Sequence, residues 1–186
     1  MKYNEGIAMK GSIEAEDILI KKIPFTDTSK LYALRIESLE IDSFAFGTHK
    51  LDQEKIGMKN FARILVSDSQ DEVLWGAYYN EMLVGMIGLS RELGLKKKHK
   101  ATIWGLYVAP NFRGLKISSR LMDMAIDHAK NHLKLKSLML TTEAYNTSAL
   151  KLYESRGFVM WGIEPESLYI DGVFHDQGYM SLALNN

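Results

Sequence analysis

The chain has 186 residues, enough for one domain with a sizeable core, and 46 % hydrophobic and 25 % charged residues are ordinary fractions for a globular protein. Lys and Arg together number 23, as do Asp and Glu, so the balanced charge gives no reason to expect nucleic acid or an anionic membrane as a partner. Cysteine is absent, which excludes disulfides, thiol nucleophiles and cysteine-based zinc sites.

The first 16 residues are polar, with two glycines and mixed charge, and we expect a loosely held arm at residues 1–16 ahead of a single domain at residues 17–186. The arm lacks the apolar core of a signal peptide. The sequence also has no run of about 18 apolar residues, which is the length a membrane-spanning helix needs. We therefore expect a cytoplasmic protein with no membrane partner.

Residues 17–23 are predicted to form the first strand, because isoleucines recur through a short polar stretch. The Thr, Asp and Ser side chains of residues 26–29 can cap the start of a helix that runs to about Glu40. Its inward residues are expected to be Leu31, Leu34 and Leu39. An apolar turn at residues 44–47 then precedes a second helix over about residues 53–66. The second helix is expected to bury one face, made of Met58, Phe61 and Leu65.

Two strands follow, at residues 73–79 and 82–89, joined by a short hairpin turn at Asn80. Gly85 and Gly88 lie inside the second of these strands, which indicates a bulge or the close approach of something flat. The basic run at residues 96–100 is interpreted as the solvated end of a hairpin. The alternative is a patch that attracts a polyphosphate or an acidic acceptor.

The central stretch, residues 101–133, reads as a strand, a tight turn and a helix. Apolar and aromatic residues continue up to Pro110, and the turn contains Arg113 and Gly114. The helix is predicted from apolar residues at four-residue steps: Ile117, Leu121, Ala125 and Ala129. Such a connection directs the first free N–H groups of the helix at one point, where they and the helix dipole can bind phosphate.

A strand at residues 138–142 follows, and then a short helix capped at Asn146 and ended by Gly157. Residues 158–163 and 174–184 are predicted to be two final antiparallel strands, turning at residues 170–172. The order of elements predicts a mixed α+β fold, with one parallel step on either side of the central helix.

Two segments carry a resemblance to a known family. Residues 108–122, VAPNFRGLKISSRLM, resemble the pyrophosphate-binding segment of the GNAT superfamily of N-acetyltransferases. Arg113 matches that pattern, whereas Lys116 and Ser118 stand where the family has small residues. Residues 146–158, NTSALKLYESRGF, are similar to a second family segment. The residues at matching spacings there are Asn146, Ala149, Tyr153, Gly157 and Phe158. Residues 161–184 also look like the closing hairpin of family members that acetylate amines, and residues 44–47 resemble an acceptor-side loop.

The resemblance implies the GNAT fold, a mixed and mostly antiparallel central sheet flanked by helices, with acetyl-CoA as co-substrate and no metal. Acetyl-CoA would enter between the strand ending at Val108 and the strand beginning near Ser137. The residues expected to bind it are Leu106, Tyr107, Val108, Arg113, Gly114, Leu115, Lys116, Ile117, Ser118, Ser119, Asn146, Ala149 and Tyr153. Lys116 keeps its backbone N–H, so it has to point its side chain away or lay its charge on a phosphate.

The implied reaction is direct attack of a primary amine, of a small molecule or a protein, on the acetyl group. Tyr153 would protonate the leaving thiolate, and a backbone N–H near Val108 would stabilise the oxyanion. A general base is less clear, because the central strand has no carboxylate and carries Trp104 instead. Glu143 is the candidate base, although a charge at a loop edge is the slightly favoured interpretation.

Other residues remain open as contributors. Tyr107 could relay a proton through water, and Asp42 and His49 flank the acceptor-like loop. His128 and His132 lie four residues apart with no third ligand evident, so they are interpreted as surface histidines and not as a zinc site.

The sequence leaves two other functions open. One is a catalytically weak GNAT-like domain that binds CoA as a sensor or scaffold, and the degraded turn motivates it. The other is nucleic-acid binding through residues 96–100, which the balanced charge disfavours. The acceptor amine and the oligomeric state, including a homodimer, are left open by the sequence.

Overall fold

The computed structural model describes residues 13–67 and 69–184. Its strands form one seven-stranded sheet in the order β1-β2-β3-β4-β5-β7-β6. Every neighbouring pair is antiparallel except β4 and β5. The expected α+β class, with a mixed and mostly antiparallel sheet flanked by helices, is confirmed. No helix within the described ranges is long and apolar enough to cross a membrane.

The bounds of the elements follow the predicted order, with one additional helix. The strands are β1 (Ile18–Lys22), β2 (Glu72–Tyr79), β3 (Met82–Arg91), β4 (Lys100–Val108), β5 (Ser137–Glu143), β6 (Val159–Ile170) and β7 (Val173–Ala183). The helices are α1 (Thr28–Ile41), α2 (Lys50–Ile56), α3 (Lys59–Val66), α4 (Ile117–Asp127) and α5 (Thr147–Glu154). A π-helical turn, His128–His132, extends α4.

The sheet separates two hydrophobic cores. On one face, α4 packs its four-residue apolar series, and all of Ile117, Leu121, Ala125 and Ala129 are buried as predicted. On the other face lie α1 and α3, with Leu31 and Leu34 buried beside Phe61 and Ile64. We call these the α4 face and the α1 face. The alternation of side chains along β4 sends Tyr107 to the α1 face and Val108 to the α4 face.

Two predicted boundaries are wrong. The helix expected over residues 53–66 is two helices, because Gly57 adopts φ +64° and ends α2. Met58 consequently lies outside the buried face and is exposed. The strand expected to end at residue 163 continues to Ile170. Pro165 is tolerated within it because β6 lies at the edge of the sheet, where a missing backbone donor costs nothing.

The expected N-terminal arm falls mostly outside the described residues, which begin at Ile13. The part that is described contacts the domain. Ile13 packs against the α4-face core, and Arg120 donates hydrogen bonds to the carbonyls of Ala15 (2.7 Å) and Ile18 (2.8 Å). Ile13 and Ala15 therefore contact the domain, while the expectation of a loose arm stays a prediction for the residues before them.

The glycines of β3 mark a close approach, as the sequence indicates. A β-carbon at Gly88 would lie 2.4 Å from the indole ring of Trp104 on β4. That ring is also fixed by a hydrogen bond to β3, because Trp104 Nε1 donates to Ser90 Oγ at 2.9 Å. The β3–β4 register shifts just beyond this contact, where Gly105 adopts φ +66°. A bulge of this kind re-aims the remainder of β4.

The parallel strands β4 and β5 pair only at their beginnings. Lys100, Ala101 and Thr102 are opposite Ser137, Leu138 and Met139, and no pairing follows. Residues 103–108 of β4 therefore present an edge with no strand partner in the described part of the chain. The two strands splay apart toward their carboxyl ends, and the opening lies next to the start of α4.

Candidate active site

A cleft of about 750 Å³ occupies the space between the splayed ends of β4 and β5. Its lining reaches both faces of the sheet. On the α4 face it includes residues 113–114 and 116–119, together with Asn146, Ala149 and Tyr153. On the α1 face it includes Arg35, residues 44–48 and Tyr107. The cleft thus passes through the sheet, because β4 and β5 stop pairing after Thr102 and Met139 and leave a gap between them.

The start of α4 offers free hydrogen-bond donors to this cleft. The amides of Ile117, Ser118 and Ser119 lie in the first turn, where a helix supplies no acceptor for them, and no side chain caps this end in the described residues. The preceding Lys116 adopts φ +57°, a left-handed conformation that residues other than glycine rarely take. Its side chain is exposed and lines the cleft. The dipole of α4 adds to the attraction that these donors exert on an anion.

The unpaired edge of β4 supplies a second kind of recognition. Leu106, Tyr107 and Val108 line the cleft along this edge. An extended chain of amides could add to the edge in the manner of another strand. The turn that follows is fastened to the strand end, because Arg113 Nε donates to the carbonyl of Val108 at 3.0 Å. Strand edge and helix start are therefore held in one fixed relation.

Asn146 and Tyr153 enter the cleft from α5. The Oδ1 atom of Asn146 accepts hydrogen bonds from the amide of Ala149 (3.2 Å) and from Ser148 Oγ (2.9 Å), so the predicted helix cap is confirmed. Tyr153 packs edge-on against Phe158, with ring centroids 6.1 Å apart. Burial raises the pKa of the Tyr153 phenol to about 12. Within the described residues its hydroxyl has no hydrogen-bond partner, so it is available to a group in the cleft.

On the α1 face the cleft is bounded by α1 and the loop that follows it. The Tyr107 hydroxyl donates to Glu37 Oε1 at 2.9 Å. Burial and this carboxylate raise the pKa of Tyr107 well above its ordinary value. Asp42 lines the cleft and forms an ion pair with Arg113, with 2.6 Å between Oδ2 and Nη2. Arg35 lies with its guanidinium 4.6 Å from the centroid of the Phe46 ring.

Some of the expected site residues lie elsewhere. Glu143 is not part of the lining, since its carboxylate turns back to accept a hydrogen bond from the amide of Tyr145 at 3.0 Å. This position fits the loop-edge interpretation of Glu143 better than a role as the base. Leu115 is also outside the lining and packs against the α4-face core. His49 caps α2 by accepting from the amide of Leu51 at 3.2 Å.

The basic run and the histidine pair also lie away from the cleft. Residues 96–99 are exposed at the β3–β4 hairpin end, opposite the end of β4 that meets the cleft, which agrees with a solvated hairpin end. His128 is buried, contrary to the expectation of a surface residue. Its Nε2 lies 2.9 Å from the carbonyl of Gln70, and burial lowers its pKa. His132 is exposed as expected. Across the described ranges, no group of three or more ligand-type side chains could hold a metal ion.

The residues at or behind the cleft that the sequence reasoning missed include Arg35, Glu37 and Gln177. Arg35 could have been found, because it lies four residues after Leu31 and so falls on the apolar face of α1. A charged residue at a buried helical position is the signal. Glu37 and Gln177 carry no such signal, since their positions depend on how distant elements pack.

The arrangement fits acetyl-CoA. Uncapped amides at the start of a helix suit a pyrophosphate, the open strand edge suits an amide-containing arm, and the gap through the sheet leads to the opposite face. The cleft volume of about 750 Å³ falls within the usual range for small-molecule sites.

Comparisons with known proteins agree with this geometry. The model of the Acetyltransferase (GNAT) family matches residues 31–158. A spermidine N(1)-acetyltransferase from Vibrio cholerae is 29 % identical over 49 % of this chain and 53 % of its own length. The chain spans between 53 % and 59 % of the length of the curated relatives it matches.

Solved structures share the fold across nearly the whole chain. That of yncA from Salmonella typhimurium, with its cofactor acetyl-CoA, has a TM-score of 0.76 at 15 % identity and covers 91 % of this chain and 95 % of its own. A GNAT-family acetyltransferase from Streptococcus pneumoniae has a TM-score of 0.74 at 20 % identity, covering 89 % and 99 %. With the family match extending over more than half of its residues, the chain belongs to the GNAT family of acetyltransferases.

Proposed function

We propose that this protein is an N-acetyltransferase that transfers the acetyl group of acetyl-CoA to a primary amine by direct attack. The observation that carries the proposal is the gap between β4 and β5, which opens beside the uncapped start of α4. The name of the Vibrio cholerae relative supports an amine as acceptor. The acceptor is a small-molecule amine or the amino group of a protein.

The residues of the α4 face would hold the co-substrate. The amides of Ile117, Ser118 and Ser119 bind the pyrophosphate, and the unpaired edge of β4 at residues 106–108 binds the pantetheine arm. Asn146 keeps its Oδ1 for the cap of α5, so its side-chain amide nitrogen is left to donate toward the cleft. Bound in this way, acetyl-CoA supplies a thioester carbonyl that a neutral amine can attack.

Tyr153 is proposed as the general acid. Because burial raises its pKa to about 12, the phenol keeps its proton at neutral pH. As the C–N bond forms and the C–S bond breaks, the Tyr153 hydroxyl donates its proton to the departing sulfur. The phenol then recovers a proton from solvent. The backbone N–H groups near Val108 are the donors proposed for the developing oxyanion.

Glu37 is proposed as the final acceptor of the amine proton. Among the described residues that line the cleft, only Asp42 carries a carboxylate, and that carboxylate is paired with Arg113. Glu37 lies behind the lining and accepts the Tyr107 hydroxyl at 2.9 Å. The ammonium proton can pass to the Tyr107 oxygen while the Tyr107 proton moves to Glu37. Glu37→Gln should therefore lower kcat/KM at neutral pH, whereas an unchanged kcat/KM would remove Glu37 from the reaction.

The binding half of the proposal is tested with a matched pair of variants. Ser118 and Ser29 are each the second residue of a helix, in α4 and α1 respectively. Aspartate is favourable in the first turn of either helix, so neither change should harm the fold. Ser118→Asp places a negative charge where the pyrophosphate binds and should abolish calorimetric CoA binding, while Ser29→Asp should bind like the parent. Equal affinities would contradict the proposed phosphate site.

The chemical half is tested by thiol release from acetyl-CoA with a panel of small amines, polyamines and peptides with free N-termini. Acetylation of at least one amine above the hydrolysis rate supports the transferase. The alternative is a CoA sensor or scaffold, which the absence of an unpaired carboxylate from the described lining favours. Tight CoA binding with no transfer to any amine would favour that alternative.

A further inference from the structure

Arg35 is a buried cation without a counter-charge. Arg35 lies on the apolar face of α1 and lines the cleft, and only 7 % of its surface is exposed to solvent. Its Nη1 is buried and has no hydrogen-bond partner among the described residues. The one contact of its guanidinium given by the structure is with the face of the Phe46 ring, 4.6 Å away. A ring face attracts a cation but leaves the N–H donors of the guanidinium unused.

The acidic groups around this end of α1 are already engaged. Glu37 accepts the Tyr107 hydroxyl, Glu40 pairs with Lys50 at 2.6 Å, and Asp42 pairs with Arg113 at 2.6 Å. Among the described residues, no carboxylate forms an ion pair with Arg35, and burial is the only influence on its pKa. Burial lowers the pKa of the guanidinium to about 10, which still leaves it charged at neutral pH.

An arrangement of this kind costs stability in the free protein. A buried charge with an unmade hydrogen bond is among the more destabilising features a core can hold. An oxyanion from outside the chain would satisfy both the charge and the fork of donors, because guanidinium and carboxylate groups match in a two-bond geometry.

The position of Arg35 indicates which molecule brings the anion. The amides proposed for the pyrophosphate lie on the α4 face, whereas Arg35 and Phe46 lie on the α1 face of the same cleft. The gap between β4 and β5 separates the two. An anion at Arg35 therefore belongs to the acceptor and not to the phosphates of CoA.

We propose that Arg35 binds an oxyanion on the acceptor, so that the preferred substrate is an amine that also carries a carboxylate or phosphonate group. The inference rests on the proposed function, since it names the substrate class of the same site. It disfavours acceptors whose only charges are positive, because these would meet the buried guanidinium.

The experiment compares acids with their own neutral amides. The probes are glycine, β-alanine, 4-aminobutyrate, L-methionine and L-phenylalanine, each paired with its primary amide, and aminomethylphosphonate for the phosphonate class. Rates of thiol release from acetyl-CoA are compared at equal concentration of neutral amine, because amidation lowers the pKa of the amino group. We expect kcat/KM for at least one acid to exceed that of its amide by roughly 10- to 100-fold, the worth of a charged hydrogen bond.

Arg35→Met is the decisive variant, and Arg63→Met on the exposed side of α3 is its matched control. Arg35→Met should bring the acid-to-amide ratio close to 1 while the protein stays folded, since an apolar chain suits the buried position. A role of Arg35 in packing alone would lower both rates together and leave the ratio unchanged, which would overturn the proposal. Arg63→Met should keep the parental ratio.

A binding measurement separates this inference from the proposed function. With CoA present, at least one of the acids should raise the melting temperature of the parent more than its amide does, and Arg35→Met should lose the difference. If that holds and no amine is acetylated, the anion site stands and the transferase proposal falls. If amines are acetylated and no acid is preferred or bound through Arg35, the transferase stands and the anion site falls.

Discussion

Arg113 and Asp42 form an ion pair, 2.6 Å between Nη2 and Oδ2, that joins the turn before α4 to the loop after α1. The pair therefore connects the proposed phosphate side of the cleft to the proposed acceptor side. Arg113 is also fixed by its hydrogen bond to the Val108 carbonyl. A cation beside a phosphate site is thus already neutralised by a carboxylate of the same chain.

Asp42→Asn should release the charge of Arg113 for the phosphates of CoA. Because both side chains are partly exposed, we expect the free energy of unfolding to fall by less than about 1 kcal/mol. The affinity for CoA should rise, most clearly at low salt. Calorimetric titration measures it, with Asp52→Asn on α2, which breaks an exposed pair with Lys55, as the control. Equal affinities for the parent and Asp42→Asn would show that Arg113 does not act on the phosphates.

Lys116→Gly tests whether the lysine charge contributes to CoA binding independently of the backbone amides of the turn. The substitution removes the strain of φ +57° but loosens the unfolded chain, so stability should change by no more than about 1 kcal/mol. The amides remain, and only the lysine charge is lost. CoA binding should weaken at low salt and approach the parental value at high salt.

The control is Lys134→Gly, which relieves a similar φ of +52° at an exposed position outside the cleft. It should bind CoA like the parent at every salt concentration. If Lys116→Gly also binds like the parent at low salt, the Lys116 side chain points away from the phosphates and the family-like turn works through its backbone alone.

The parts of the fold that the sequence predicts well are those with local causes. The apolar series from Ile117 to Ala129 has the period of one helix face, so the central helix follows from it. Asn146 and Gly157 are residues with specific conformational roles at helix ends, and both are found at those ends: Asn146 caps α5, and Gly157 follows it with φ +85°. Gly88 leaves room for a flat ring, and Trp104 supplies it.

The features that the local sequence pattern does not predict depend on contacts between distant segments. The splaying of β4 and β5 has no local signal in the pattern of either strand, and only the family resemblance placed a gap between the strand ending at Val108 and the strand beginning near Ser137. The break at Gly57 was hidden because Met58 continues the apolar pattern of the next helix. The isolation of Arg35 depends on where Glu37, Glu40 and Asp42 find partners, and each of those partners lies on another element.

Asn146→Asp should affect the co-substrate more than the fold. An aspartate can accept the same two hydrogen bonds that cap α5, so the melting temperature should stay close to that of the parent. The change removes the amide donor and adds a negative charge to the cleft. We expect a raised KM for acetyl-CoA in steady-state kinetics. A KM equal to the parental value would limit Asn146 to its role as a cap.

The stability of the protein should fall as the pH rises above about 10. In the unfolded chain a tyrosine ionises near pH 10, whereas burial raises the pKa of Tyr153 to about 12 and raises those of Tyr78 and Tyr107 as well. Above about pH 10 the unfolded state therefore loses protons that the folded state keeps, and unfolding becomes easier. Below that pH these groups contribute no pH dependence.

Urea unfolding at pH 9 and pH 11 measures this effect, and Tyr153→Phe tests its assignment. The variant lacks one of the three phenols, so its free energy of unfolding should fall less between the two pH values than that of the parent. The pH dependence due to lysines is common to both proteins and cancels in the comparison. An identical loss in both proteins would mean that Tyr153 ionises alike in the folded and unfolded states.

Tyr153→Phe should lower turnover while leaving the ring in place. If the hydroxyl protonates the departing sulfur, kcat should fall by roughly 10²-fold, at the low end for a positioned general acid, because a thiolate is already a fair leaving group. The affinity for CoA should change far less, since the interaction is made mainly in the transition state. The measurement is steady-state thiol release with whichever amine the acceptor panel identifies.

The matched control is Tyr145→Phe. Tyr145 is exposed, its hydroxyl donates to Asp176 at 3.0 Å, and it does not line the cleft, so its loss should leave kcat unchanged. Because the Tyr153 hydroxyl has no partner within the described residues, removing it strands no other polar group. A fall in kcat therefore cannot be attributed to a disturbed hydrogen-bond network. If Tyr153→Phe retains at least half of the parental kcat, the phenol is not the acid, and the sulfur leaves as a thiolate or takes its proton from water.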